Sequence, residues 1–156
     1  MRPLWITALA IFVIDQVSKW YIVHVLDLAR VRAIDVFPPL LNLRMTWNEG
    51  INFGLFAGGG STRWVLIAIA LVICGAVLWW MRSGQPRLAM ICAGLLVGGA
   101  LGNVVDRVIY GAVADFLNMS CCGIQNPYAF NVADISVFAG ALGLIFFAED
   151  ASSAKA

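Results

Sequence analysis

The chain has 156 residues, of which 62% are hydrophobic and 12% are charged, and its mean hydropathy is +0.88. Since a soluble domain carries about 25% charged residues, these values exclude a water-soluble fold and place much of the apolar surface against lipid. The formal net charge of +1 argues against nucleic acid as a partner, because binding to phosphates needs a cationic patch. One histidine and four cysteines without CxxC spacing predict no metal site.

The first apolar segment, residues 4–26, is long enough to cross a membrane as a helix, since about 20 residues span a hydrocarbon layer of about 30 Å. A cleavable signal peptide also begins with a basic residue and an apolar run. The sequence that follows this run, DQVSKW, is no small-residue cleavage site, which favours a permanent helix. Asp15 and Lys19 are four residues apart, so we expect an internal ion pair.

Residues 27–62 are predicted to form an outer segment that contains a small β-sheet. The sequence LNLRMTWN at residues 41–48 alternates apolar and polar residues, which is typical of a strand with one apolar face. Residues 48–50 have the composition of a turn, and residues 51–55 resume the alternation. We expect the apolar face of this sheet to lie against lipid or a lipidic ligand. The alternative is a plain connecting loop.

Three further apolar segments complete the prediction, which is an all-α membrane protein with four transmembrane helices in a single domain of residues 1–156. These segments cover residues 64–81, 88–108 and 130–148. The third predicted helix contains Gly94, Gly98 and Gly102 at four-residue intervals. Because glycine leaves the helix surface bare, we expect another helix to approach closely on this face.

Basic residues in the short connections predict the orientation of the chain. Arg82 and Arg87 lie between the second and third predicted helices, on the same side as Arg2 and Lys155. Because Lys and Arg collect in short cytoplasmic loops, both termini are predicted to be cytoplasmic. Residues 27–62 then lie on the opposite side of the membrane.

Polar residues inside the apolar segments are the candidates for function, because a charge in the bilayer costs free energy. Asn103, Asp106 and Arg107 share one face at the outer end of the third predicted helix. A guanidinium does not release a proton, so Arg107 is expected to organise carboxylates or carbonyl groups around it.

Asp115 and Asp134 differ from the other acidic residues, because no Lys or Arg lies within several positions of either. If the third helix ends near residue 110 and the fourth begins near residue 130, both lie at the outer membrane boundary on facing elements. Two carboxyl groups in contact share a proton, so one can take a proton from water while the other donates one to a peptide carbonyl. Asp134 is equally well placed to be the N-cap of the fourth helix, and spacing alone leaves both interpretations open.

Two other functions are compatible with these residues. A small proton-coupled transporter also uses isolated acidic residues in membrane helices, although near the midplane and usually with an internal repeat. A structural assembly factor would use the glycine faces to hold partner helices. Other peptidase schemes are disfavoured, because Ser18 and Lys19 point in different directions from a helix and no serine or cysteine completes His24 and Asp27.

Four sequence blocks occur together in this chain: DQVSKW at 15–20, NEGINFGLF at 48–56, GGALGNVVDRVIYGAVADFL at 98–117 and FNVADISVF at 130–138. In content and order they resemble the lipoprotein signal peptidases, also called signal peptidase II. The resemblance implies an aspartic endopeptidase of the bacterial inner membrane with its active site towards the periplasm and no cofactor. Its substrates would be diacylglyceryl-modified prolipoproteins, cleaved before the lipidated cysteine. The outer segment would then be periplasmic.

The resemblance also implies roles for individual residues. Asp115 and Asp134 correspond to the catalytic pair of the family. Other positions correspond to residues that bind substrate or support the site, namely Asp15, Asn48, Gly50, Asn103, Arg107 and Asn131. Lys19, the predicted ion-pair partner of Asp15, is included among the supporting residues. The implied partners also include membrane lipid and the inhibitor globomycin, a cyclic peptide. Residues 51–52 (Ile-Asn) depart from the small residue usual in the family, which concerns substrate handling more than chemistry.

Overall fold

Long helices and a small antiparallel sheet make up the protein in a computed structural model, which describes residues 1–50, 61–124 and 126–148. The helices are α1 (Arg2–Trp20), α2 (Leu28–Val31), α3 (Ser61–Trp80), α4 (Arg87–Ile109) and α5 (Val132–Phe147). The strands are β1 (Ala33–Phe37), β2 (Leu41–Asn48) and β3 (Val113–Asn118). A π-helical turn at Tyr21–Val25 extends α1, and a 3-10 turn at Met81–Ser83 follows α3.

Among the described residues, three helical segments are long and apolar enough to cross a membrane. They are Arg2–Val25, Thr62–Ser83 and Arg87–Ile109. Helix α5 is also apolar, but it has 16 residues and is about 24 Å long at 1.5 Å per residue. A helix at the fourth predicted position is therefore present, whereas its crossing of the membrane stays a prediction.

Helix α4 lies between α1 and α5, and glycines line both contacts. A Cβ atom added to Gly94 would lie 2.6 Å from the carbonyl oxygen of Leu4, and one added to Gly98 would lie 2.5 Å from that of Ala8. On the other side, a Cβ atom added to Gly140 of α5 would lie 2.6 Å from the carbonyl oxygen of Cys92 in α4. The predicted close approach on the glycine face is confirmed. Such close packing favours helix association in lipid, where no hydrophobic effect between helices drives it.

The sheet has the strand order β1-β2-β3, with antiparallel pairing throughout. Strand β2 confirms the strand predicted at residues 41–48. The predicted continuation at residues 51–55 and the unusual pair at residues 51–52 lie outside the described residues. Strand β2 is central, so it brings the outer segment into direct contact with the connection between α4 and α5.

The sheet extends beyond residues 27–62, the segment in which the sequence predicts it. Strand β3 comes from the connection between α4 and α5, and Asp115 on this strand pairs with Thr46 of β2. Almost every residue of β3 is buried. A strand buried on both faces has no alternation of apolar and polar residues, which is why the periodicity did not reveal it.

Candidate active site

Asp115 and Asp134 meet at a single buried amide, that of Asn131. The Nδ2 atom of Asn131 donates a hydrogen bond to Oδ1 of Asp115 at 2.6 Å. Its Oδ1 atom accepts one from the backbone N–H of Asp134 at 2.9 Å, and its own backbone N–H donates to Oδ2 of Asp134 at 3.2 Å. Asp115 is 2% exposed and Asn131 is fully buried. The fold thus brings together two acids that are far apart in the sequence.

The interpretation of Asp134 as the N-cap of the last helix, which spacing left open, differs from the structure by three positions. Asn131 is the N-cap of α5, and Asp134 is the third helical residue, whose side chain completes a reciprocal capping box. Asparagine is a strong N-cap because its short side chain reaches the free N–H groups of the first turn. Asp134 therefore takes part in capping, and its other carboxylate oxygen is available for a second contact.

Each aspartate has a further amide partner. Asn48 at the end of β2 donates from Nδ2 to Oδ2 of Asp115 at 3.0 Å, and Asn103 of α4 donates from Nδ2 to Oδ1 of Asp134 at 2.9 Å. The backbone N–H of Gly50 donates to Oδ1 of Asn48 at 3.0 Å, which fixes the orientation of that amide. Gly50 has φ +105°, a conformation that favours glycine.

The surroundings of Asp115 favour its protonated form. Burial raises the pKa of this carboxyl from its usual value of 3.8 to about 6, and the neighbouring charge of Asp134 acts in the same direction. The hydrogen bonds from Asn48 and Asn131 stabilise the ionised form and oppose the shift. Asp115 therefore keeps its proton to a higher pH than an ordinary aspartate does.

A buried ion cluster lies beside the two aspartates. Lys19 and Asp15 form the predicted ion pair, with Nζ at 2.8 Å from Oδ2, and the prediction is confirmed. Lys19 also contacts Oδ2 of Asp106 at 2.8 Å and Oδ1 of Asn103 at 3.0 Å. Gln16 donates from Nε2 to both carboxylates, at 3.1 Å to Asp15 and 3.2 Å to Asp106.

Sequence reasoning missed Gln16 and did not foresee that Asp106 pairs with Lys19. Both contacts cross between α1 and α4, so no local spacing announces them. One signal was present in the glycine face, because Gln16 also donates to the carbonyl oxygen of Gly102 at 3.3 Å. A helix that approaches this glycine brings its own polar residues to Asp106, one turn further along α4.

Arg107 lies at the edge of the site. Its Nη1 atom donates to the carbonyl oxygen of Asn103 at 3.4 Å, and its charge acts on the carboxylates of Asp106, Asp115 and Asp134. Within the described part of the chain, its buried Nε–H has no acceptor. The structure thus links all nine predicted site residues into one neighbourhood, with Gly50 joined through Asn48.

Comparison with known proteins assigns this chain to a family. A family model for signal peptidase (SPase) II matches residues 7–148. The chain belongs to the signal peptidase II family. A lipoprotein signal peptidase from Methylobacterium sp. (strain 4-46) is 40% identical to this peptidase over 149 residues, covering 93% of this chain and 89% of the relative. One from Methylorubrum extorquens (strain PA1) is 40% identical over 141 residues, covering 90% and 81%.

Two solved structures have a similar fold. Two structures, each described as that of a bacterial membrane enzyme obtained by the in meso method, are similar to this peptidase. The one at 2.3 Å resolution is 28% identical with a TM-score of 0.74, covering 90% of this chain and 84% of that chain. The one at 1.9 Å is 27% identical with a TM-score of 0.76, covering 90% and 88%. The chain is an aspartic peptidase of the signal peptidase II type.

Proposed function

We propose that the chain removes signal peptides from diacylglyceryl-modified prolipoproteins, cleaving before the lipidated cysteine, with Asp115 and Asp134 as the catalytic pair. The observation that carries this proposal is the pair of hydrogen bonds made by the side-chain amide of Asn131, which donates to the carboxylate of Asp115 at 2.6 Å and accepts from the backbone N–H of Asp134 at 2.9 Å. Structural capping alone needs only the second of these bonds. The first holds a carboxyl group that the helix does not require.

The proposed chemistry divides the work between an ionised and a protonated carboxyl group. A water molecule between them gives a proton to the ionised group and attacks the scissile carbonyl, while the protonated group donates to the carbonyl oxygen. The tetrahedral intermediate then collapses, and a proton passes to the leaving amine. The raised pKa of Asp115 supports Asp115 as the group that holds the proton in the free enzyme and Asp134 as the base. No covalent acyl-enzyme is formed.

The proposed setting is the bacterial inner membrane, with α5 as the fourth spanning helix. Support comes from the exposed apolar surface of α5, where Phe138 and Phe146 are each 71% exposed and Ile145 is 76% exposed. Residues that precede and follow a spanning helix commonly extend its reach through the interface. A segment of 16 residues therefore needs only a few flanking residues to cross.

We further propose that the active site faces the periplasm and that both termini are cytoplasmic. Arg2, Arg82 and Arg87 lie at the helix ends opposite to the site, as the bias of Lys and Arg towards the cytoplasm requires. In the outer segment, Arg30 is 2.6 Å from an oxygen of Asp27, so its charge is balanced. Reporter fusions at the two termini and in the outer segment test this orientation.

Lipid recognition has a simple physical basis. Burial of acyl chains contributes about 0.8 kcal/mol per CH₂ group, so exposed apolar surface beside the site favours the lipidated substrate. Globomycin is proposed to occupy the same site, in competition with prolipoprotein. Competition kinetics with the purified peptidase test this assignment, and inhibition that is independent of substrate concentration contradicts it.

The decisive experiment compares Asp115→Asn and Asp134→Asn in detergent-purified protein, with lipidated and unlipidated prolipoprotein as substrates. Each variant is expected to fold and to lose turnover by at least about 100-fold, the usual effect of losing one general acid or base. Asp27→Asn is the matched control, since asparagine tolerates the left-handed backbone of Asp27 at φ +50° and this residue lies outside the site. Near-normal cleavage by either site variant contradicts the proposal. A transporter or assembly factor would release no shortened product.

A further inference from the structure

Asp134 is positioned by the hydrogen bonds of its own side chain and also by a hydrogen bond of the preceding residue, Ala133. The backbone N–H of Ala133 donates to Oδ1 of Asp15 at 3.0 Å, and both residues are fully buried. Ala133 is the second residue of α5, and N–H groups in the first turn have no acceptor within their own helix. Asp15 of α1 satisfies this one. We name this contact, between Asp15 and the N–H of Ala133, the α1 clamp.

Asp115 has a corresponding contact with α4. The backbone N–H of Ala114 donates to Oδ2 of Asp106 at 3.2 Å, and each of these two residues is 1% exposed. Ala114 directly precedes Asp115, as Ala133 precedes Asp134. We name this contact, between Asp106 and the N–H of Ala114, the α4 clamp. The two acids of the proposed catalytic pair are thus fixed to two different helices by the same kind of bond.

One ammonium group joins the two clamps. Lys19 lies 2.8 Å from each clamp carboxylate, and its third contact is Oδ1 of Asn103 at 3.0 Å, whose amide donates to Asp134. An ammonium has three protons to donate, and Lys19 has three acceptors. The amide of Gln16 bridges the same two carboxylates from the other side. The side chain of Lys19 is 5% exposed, so water does not screen these contacts.

We propose that Lys19 is a positioning residue, which sets the separation of Asp115 and Asp134 and the sharing of their proton through the two clamps. This inference rests on the proposed function of the pair. A cluster that only neutralised buried charge would need neither clamp, because the backbone N–H groups carry no charge to be neutralised. The contacts with Ala133 and Ala114 connect the cluster to the residues next to the proposed catalytic acids.

The charges around Lys19 determine what its removal does. Asp15 contacts it from α1 and Asp106 from α4, and its charge acts on Asp115 of β3. Asp134 of α5 and Arg107 of α4 belong to the same network of charges, since each interacts with Asp115. Without the ammonium, the two clamp carboxylates repel each other across the interface between α1 and α4. The charge of Lys19 also favours the ionised form of Asp115, so its loss raises the pKa of that carboxyl further.

Two variants test the inference, with kcat, KM and the pH profile of kcat/KM measured on lipidated prolipoprotein. Lys19→Met is expected to lower kcat about 100-fold, the effect of misplacing a catalytic group by about 1 Å, with little change in KM. The alkaline limb of its kcat/KM profile is expected to move to higher pH, because loss of the ammonium raises the pKa of Asp115. Gln16→Leu removes the amide that bridges Asp15 and Asp106 without changing the charge of the cluster. Its kcat is therefore expected to fall about tenfold, while the alkaline limb of kcat/KM stays at the wild-type pH. Arg30→Met removes an exposed ion pair and is the control.

A purely structural role for Lys19 predicts less folded protein, with kcat per folded molecule and the pH profile unchanged, and that result overturns the inference. If Lys19→Met does not fold, Gln16→Leu decides, and wild-type kcat in that variant also overturns it. The proposed function is tested separately. Should Asp115→Asn and Asp134→Asn be inactive while the Lys19 and Gln16 variants behave like the wild type, the catalytic pair stands and the positioning role fails.

Discussion

Replacement of Asn131 should separate helix capping from catalysis, because this residue serves both. In Asn131→Ser the hydroxyl can still accept from the N–H of Asp134, whereas Asn131→Ala has no acceptor, and neither side chain reaches Asp115. Both variants leave a similar space in a fully buried position. The difference in their free energies of unfolding therefore isolates the cap, which is worth about 0.5–2 kcal/mol.

The effect on Asp115 should be the same in both variants. The amide of Asn131 donates to its carboxylate at 2.6 Å, and a hydrogen bond to a charged group is worth about 1.5–3 kcal/mol. At about 1.4 kcal/mol per pH unit, loss of this bond raises the pKa of Asp115 above its starting value of about 6 by about one to two pH units.

Initial rates of prolipoprotein cleavage across a wide pH range and thermal unfolding in detergent measure the two effects. We expect both variants to lose kcat and to move the alkaline limb of kcat/KM upwards, while only Asn131→Ala loses the stability of the cap. A serine variant with wild-type rate and pH profile refutes the bridging role of Asn131. Equal losses of stability in the two variants refute the assignment of the cap.

The alkaline limb of kcat/KM should have its midpoint near pH 6, because burial and a neighbouring carboxylate keep the proton on Asp115 to that pH and the singly protonated pair is active. A midpoint near the usual pKa of 3.8 contradicts this. Gly102→Ala should lower activity and melting temperature, because its Cβ would collide with the carboxylate of Asp15. Gly75→Ala should preserve both, because its Cβ would have no atom of another part of the chain within 4 Å. Arg107→Lys should lower kcat more than substrate affinity, because lysine keeps the charge but loses the planar fork; equal losses would indicate direct substrate contact.

The fold was predictable from sequence where local pattern determines structure. The alternation at residues 41–48 identified β2 within its observed bounds, and the four-residue spacing of Asp15 and Lys19 identified their ion pair. The glycine spacing along α4 identified a face where another helix approaches. Each of these features depends on residues only a few positions apart, so periodicity contains the necessary information.

The missed features depend on contacts between distant parts of the chain. Strand β3 is buried on both faces, so its sequence has no alternation to detect. The position of the cap was misjudged because Asn131 and Asp134 are both good first-turn residues, and only the backbone geometry distinguishes N-cap from third residue. The pairing of Lys19 with Asp106 required the packing of α1 on α4.

The role of the acidic residues was open from spacing alone. Asp115 and Asp134 stood out through the absence of nearby cations, and family resemblance supplied their pairing and the amides around them. The structure adds how they are connected, since the amide of Asn131 lies between them. No sequence pattern known to us encodes that one amide would serve both.

Titration of Asp115 by NMR, with a ¹³C-labelled carboxyl group, tests whether the two acids share a proton. In the wild-type peptidase this carboxyl should titrate near pH 6. In Asp134→Asn, which removes the neighbouring charge but keeps the shape, the midpoint should fall towards the ordinary value while the contribution of burial persists. An unchanged midpoint would contradict this interaction, because it would mean that the two acids do not share a proton.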